Sequence, residues 1–156
     1  MNRLVIASSF PVLLAACGGP MPAAFKPTIT LPKGQTQLNV RIERVKADRG
    51  PVFCDLFNAG EGFPGPSPII GGSLELAASA EPVCAYKDLP AGSYALSVIQ
   101  DENSNGNLDT GAFGIPLEGY GVSNNIIPAT TAPTWNDARF DVDGAAPVEL
   151  TVRLQN

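Results

Sequence analysis

The sequence contains no histidine in 156 residues. That removes the commonest transition-metal ligand, every histidine-based catalytic triad and the side chain that changes charge near neutral pH. Basic residues are few as well: 10 Lys and Arg stand against 15 Asp and Glu, a net charge of -5. They are scattered along the chain, which excludes a nucleic acid partner, because phosphate binding requires clustered cations. Beyond residue 14 no stretch carries a convincing 3.6-residue apolar period, so long helices are not expected. Gly (16) and Pro (15) are abundant instead and favour many turns.

Cysteine is also scarce, with 3 in the chain. The first lies in an amino-terminal segment with the makeup of an export signal. Arg3 supplies its positive charge, and the apolar run from Leu4 to Leu14 is too short to span a bilayer stably. The run ends in Leu14-Ala15-Ala16-Cys17, followed by Gly18 and Gly19, and resembles a bacterial lipobox. An ordinary signal peptide with a chance cysteine is the alternative. The resemblance implies a lipoprotein signal peptide at 1–16 and lipidation of Cys17 as the first mature residue, so that a membrane is the first partner. Several acyl chains anchor durably where one would be marginal. Gly18 in place of aspartate resembles the sorting pattern of Gram-negative outer-membrane lipoproteins. The expected location is therefore the cell envelope, at the outer membrane, facing the periplasm or the cell surface. Cys54 and Cys84 remain, and two cysteines in an exported domain usually form a disulfide. Two buried free thiols are the alternative.

Residues 17–36, rich in Pro and Gly and without period, read as a tether, and residues 37–156 as the domain. Within the domain, period-2 alternation dominates. Leu38, Val40 and Ile42 alternate with Asn39, Arg41 and Glu43. Further strands are expected over 51–57, 73–78, 82–89, 94–99, 135–142 and 148–154, with Pro90-Ala91-Gly92 as a turn. Short strands separated by turn signals point to an all-β fold, an antiparallel β-sandwich of about seven strands.

The segment "DLPAGSYALSVIQD", residues 88–101, resembles the Leu-Pro-x-Gly-x-Tyr stretch of transthyretin-like (prealbumin-like) and collagen-adhesin-B-like domains. Together with "DENSNGNLD", "GIPLEGYGVSNN" and "APTWNDARFDV", it makes the chain similar to a member of the bacterial domain-of-unknown-function family 2141, from about Gln37 to the carboxyl terminus. The resemblance implies the fold and the site and carries no established activity. Two positions depart from the family pattern: Gln100 stands where histidine is frequent, and Gly111 where asparagine is frequent.

Asp101-x-Asn103-x-Asn105-Gly106-Asn107-x-Asp109 matches the first nine positions of a calcium loop of EF-hand type. Calcium takes six to eight oxygens, and alternate side chains of a tight loop supply them; glycine at the sixth position permits the sharp bend. Asp101, Asn103 and Asn105 are expected to coordinate by side chain, Asn107 by its backbone carbonyl, and Asp109 directly or through water. The twelfth position is Ala112, so the bidentate glutamate is missing, and Glu118 is the expected substitute. One weakly bound calcium ion is the expected cofactor, with Kd on the order of 10⁻⁴–10⁻³ M. A metal-free turn rich in Asn and Asp is the alternative, and a loop that binds sugar hydroxyls is another.

The expected function is thus a non-catalytic, lipid-anchored envelope module with a structural or binding role. An envelope protein or a glycan is the expected further partner. A carboxylate-dependent hydrolase using Asp101, Asp109 and Glu118 is the alternative. Ser123 lacks a nucleophile elbow and a histidine to activate it. Trp135, Tyr120, Phe113 and Phe63 are expected to cap the ends of the sandwich, or else to mark a ligand surface.

Overall fold

A computed structural model describes residues 35–65, 70, 74–79 and 81–155 of the chain. The expectations for residues 1–16, for lipidation at Cys17 and for the tether lie outside the described residues, except at positions 35 and 36, which already belong to a strand. Eight strands form in chain order: β1 (Gln35–Glu43), β2 (Pro51–Phe57), β3 (Leu74–Ala77), β4 (Val83–Pro90), β5 (Gly92–Gln100), β6 (Gly119–Val122), β7 (Phe140–Val142) and β8 (Val148–Arg153). A single helical turn, α1 (Trp135–Ala138), precedes β7. The fold is all-β. Among the described residues no helix is long and apolar enough to cross a membrane.

The strands make two sheets. One has the order β4-β1-β8, and the other the order β3-β2-β5-β6, with β7 also pairing β5. Alternation decides which side chains meet between them. Leu38, Val40 and Ile42 of β1 are fully buried, as are Val52, Cys54 and Leu56 of β2 and Leu96 and Val98 of β5. These residues from both sheets belong to one apolar cluster. Each such side chain removed from water contributes about 1.5–3 kcal/mol. Cys54 and Cys84 form a disulfide inside this cluster, joining β2 of one sheet to β4 of the other, with their Cα atoms 6.5 Å apart. Beside it the Tyr86 hydroxyl donates to the Cys54 carbonyl at 2.9 Å. Burial, and after it the charge of Asp55, holds the Tyr86 hydroxyl well above the usual tyrosine range.

Three expectations are corrected. The sheets are not wholly antiparallel, because β1 and β8 run parallel, from Leu38 beside Val148 to Glu43 beside Arg153. The strand expected over 135–142 divides into α1 and β7: Thr134 and Asp137 form a capping box that starts a helical turn instead. An unexpected strand, β6, raises the number to eight. Its sequence, Gly-Tyr-Gly-Val, carries glycine at two of four positions, and glycine is depleted in strands. Glycine is required at 121, because a Cβ there would lie 2.8 Å from Val152 Cγ1 and 3.0 Å from the Arg153 carbonyl oxygen. The two sheets come together at this edge, where Tyr120 and Gln155 exchange backbone hydrogen bonds of 3.1 and 2.8 Å.

The outer face of β5 is covered too. Ala95, Val122 and Ala138 are buried there, with Phe63 and Trp135 packed against them. Phe63 meets Phe57 edge-on at 5.2 Å and Trp135 edge-on at 6.2 Å. Both aromatic residues therefore serve packing.

Candidate functional site

The acidic loop begins where β5 ends, and Gln100 fixes that point. Gln100 sits at an inward position of β5 and is fully buried. Its Nε2 donates to the carbonyls of Lys46 and Arg49, both at 2.7 Å, and its Oε1 accepts from the Lys46 backbone N–H at 2.9 Å. A polar side chain at a core position is stable only with its partners present, and here all three come from the β1–β2 connection. Gly50 brings that connection against the loop. A Cβ at Gly50 would lie 1.8 Å from the Asp101 carbonyl oxygen, so only glycine fits. The Asp101 N–H donates to the Pro51 carbonyl at 3.0 Å. Lys46 Nζ pairs with Glu102 at 2.6 Å on the rim.

Asp101 is 2 % exposed and organises the first half of the loop. Its Oδ1 accepts from the Asn105 N–H at 3.0 Å, and its Oδ2 from the Gly106 N–H at 2.7 Å. Asn103 Oδ1 shares the Asn105 N–H at 3.0 Å, and Asn105 Oδ1 accepts from the Asn107 N–H at 2.8 Å. These are side-chain-to-backbone turns of the kind that Asn and Asp form readily. Gly106, with φ of +83°, makes the bend between them.

The second half is held by amides and carboxylates. Asn103 Nδ2 donates to Asp109 Oδ2 at 2.6 Å, and Asn105 Nδ2 donates to Asp109 Oδ1 at 3.1 Å. Asn107 turns its amide to the Asn105 carbonyl at 3.2 Å. Glu118, 6 % exposed, folds back to the loop. Its Oε1 accepts from the Glu102 N–H and its Oε2 from the Asp109 N–H, both at 2.9 Å.

The structure thus brings Asp101, Asn103, Asn105, Asn107, Asp109 and Glu118 into one hydrogen-bonded unit. Donors satisfy the carboxylates of Asp101, Asp109 and Glu118, and among the described residues no group of three His, Cys, Asp or Glu is gathered in a way that could hold a metal ion. No lysine or arginine among the described residues makes a salt bridge to any of these three carboxylates. The spacing of the loop did not disclose Gln100 or Gly50. The available signals were a polar residue continuing the inward parity of Tyr94, Leu96 and Val98, and a glycine directly before a strand.

Beyond Asp109 the character changes. Residues 110–117 form a small hairpin closed by a bridge between Thr110 and Pro116 and by the Gly111 N–H donating to the Ile115 carbonyl at 2.7 Å. Phe113 at its tip is fully exposed, with φ of +61°, and Ile115 and Leu117 are exposed as well. The expected capping role for Phe113 is therefore not the one it has. On the other side the loop walls a cavity of about 490 Å³ whose floor is Phe53, Asp55 and Ile99 on the outer face of β2 and β5, with Asn107 and Leu108 at its side.

No curated protein and no solved structure matches the chain. The family relation rests on the sequence that builds this fold and this loop: the model of the bacterial family described as "Uncharacterized protein conserved in bacteria (DUF2141)" matches residues 40–149, a span that runs from the middle of β1 into β8 and contains the whole site, and the chain belongs to that family.

Proposed function

We propose that the protein is a non-catalytic, lipid-anchored module of the bacterial cell envelope, folded as a transthyretin-like sandwich, in which the 101–109 loop takes up a calcium ion as a structural clip. The observation that carries the reading is Glu118. This carboxylate turns back onto the loop and accepts from the Glu102 and Asp109 N–H groups, which supports it as the substitute for the missing twelfth-position glutamate. It joins Asp101 and Asp109 in a unit that has no salt bridge to a lysine or arginine among the described residues, so a cation there would relieve like-charge repulsion.

Asp101, Asp109 and Glu118 would supply the charge, with Asn103 and Asn105 as neutral oxygen donors. The ion competes with bonds the loop already makes. To offer oxygen where they now offer N–H to Asp109, the amides of Asn103 and Asn105 must turn over and give up their bonds to the Asn105 and Asn107 N–H groups. Each such bond is worth about 1 kcal/mol net, which places the affinity in the weak range. Against the hydrolase alternative, the same carboxylates are already committed to backbone and amide donors.

Scanning calorimetry of the purified protein in millimolar calcium against chelator tests the clip. A ligand at about ten times its Kd stabilises by roughly 1.4 kcal/mol, or a few degrees in Tm. Asp101→Ala and Asp109→Ala abolish the shift, and Glu118→Gln reduces it. An unchanged Tm with calcium leaves the loop as a metal-free turn. Cys17→Ser tests the anchor: processing and outer-membrane fractionation that survive this change rule it out.

A second reading, a glycan-binding module, is favoured by the cavity beside the loop. Its volume lies in the range of small-molecule sites, and Phe53 offers a stacking face next to Asp55 and Asn107. Calorimetric titration with envelope oligosaccharides, with and without Phe53→Ala, separates this reading from a purely structural one.

A further inference from the structure

The acidic loop contains an Asn-Gly step, Asn105-Gly106, in an exposed turn. In this dipeptide the glycine nitrogen can attack the asparagine side chain, because no side chain on the following residue obstructs the approach. A Cβ placed on Gly106 would meet nothing within 4 Å, so the space beside its Cα is open. Three hydrogen bonds nevertheless oppose the reaction. The Gly106 N–H is engaged by Asp101 Oδ2 at 2.7 Å, and a carboxylate on an N–H opposes loss of its proton. The Asn105 amide is drawn forward along the chain, with Oδ1 on the Asn107 N–H at 2.8 Å and Nδ2 on Asp109 at 3.1 Å.

We infer that Asn105-Gly106 is a self-modification site that Asp101 keeps closed while the loop is folded and that reacts when the loop opens. The Gly106 nitrogen loses its proton to solvent base and forms a bond to Asn105 Cγ. The Cγ–Nδ2 bond breaks and Nδ2 leaves as ammonia, which takes up the proton. Water then opens the resulting five-membered imide at either carbonyl, leaving aspartate or isoaspartate at 105. Either product adds a negative charge beside Asp109 and removes the donor that Asn105 Nδ2 gave it. Isoaspartate also lengthens the backbone by one carbon and ends the alternate spacing of the loop. The site thus records how long the loop has spent open, and it does so whether or not the loop binds calcium.

The test follows conversion at 105 by peptide mass mapping and ammonia release, with the full-length protein kept at mildly alkaline pH in its native state and in denaturant with the disulfide reduced. Native protein converts more slowly by about tenfold or more, which corresponds to a loop-opening free energy of about 1.4 kcal/mol or more. Asp101→Ala moves the native rate toward the denatured rate. Asp101→Asn, which keeps one acceptor oxygen and the side-chain shape, falls between. Amide hydrogen exchange at Gly106 in Asp101→Asn rises in step with conversion, so the test stands even where Asp101→Ala fails to fold. Equal native and denatured rates overturn the proposal. So does folded Asp101→Asn that exchanges faster at Gly106 yet converts at the wild-type rate.

Discussion

The core between the sheets and the loop end of the molecule are held together by opposite kinds of contact. In the core, partners are distant in sequence. Leu38 lies beside Val148, and the disulfide spans 30 residues between one sheet and the other. In the loop, the side chains of Asp101, Asn103, Asn105 and Asp109 bond to groups 2 to 6 residues away, and Glu118 reaches back 9 residues to Asp109 and 16 to Glu102. Distant contacts depend on the whole fold and stabilise all of it. Near contacts set the shape of one segment, and their loss opens that segment with less effect on the rest.

The disulfide carries the largest expected effect. Replacing Cys54 and Cys84 together by alanine lowers the unfolding free energy by about 3–4 kcal/mol on the chain-entropy account, measured by urea denaturation. A loss below 1 kcal/mol would mean that the bridge adds little to the core around it.

An intermediate effect belongs to Glu118. Glu118→Ala leaves the N–H groups of Glu102 and Asp109 without their acceptor in a half-buried site, at a cost of about 1–3 kcal/mol. The same variant, studied in chelator, should raise hydrogen exchange at Glu102 and Asp109 while exchange in β2 and β5 keeps its order. Equal acceleration in the strands would show that the loop and the core unfold as one unit, and the contrast between them would then be lost.

The smallest effect is at the hairpin tip. Phe113 is fully exposed and makes no ring contact with another aromatic residue among those described. Phe113→Ser therefore changes stability by no more than about 0.5 kcal/mol in either direction, read by the same urea titration. A larger loss would place Phe113 in a packing role after all.

Much of this contrast was legible in the sequence. Alternation in Leu38, Val40 and Ile42 gave β1, and "PVFCDLF" gave β2 at its true bounds, because a strand with one buried face writes its period into the chain. The spacing of Asp101 to Asp109 marked residues that share hydrogen bonds in the structure, since near contacts are encoded locally. The parallel pairing of β1 with β8 was not legible, because nothing local distinguishes a parallel from an antiparallel partner 110 positions away. β6 was hidden by its two glycines, one of which is there for the neighbouring β8 rather than for its own strand. The Thr134 to Asp137 spacing did carry the signal of a helical turn, but strand alternation further along the segment masked it. Within the loop, the spacing of Asn and Asp marks which side chains gather but not which way each amide points. That direction depends on Asp109 and Glu118, brought in by the hairpin.

The direction of β5 has one more consequence. Gln35, the first described residue, pairs with Pro90, and β5 starts two residues later and runs 9 residues to Gln100. At about 3.3 Å per residue, this carries the chain roughly 30 Å to the other end of the domain. The molecule therefore has a head and a foot. Gln35 lies at the foot, and the acidic loop and the hairpin with Phe113 lie at the head, a strand's length away.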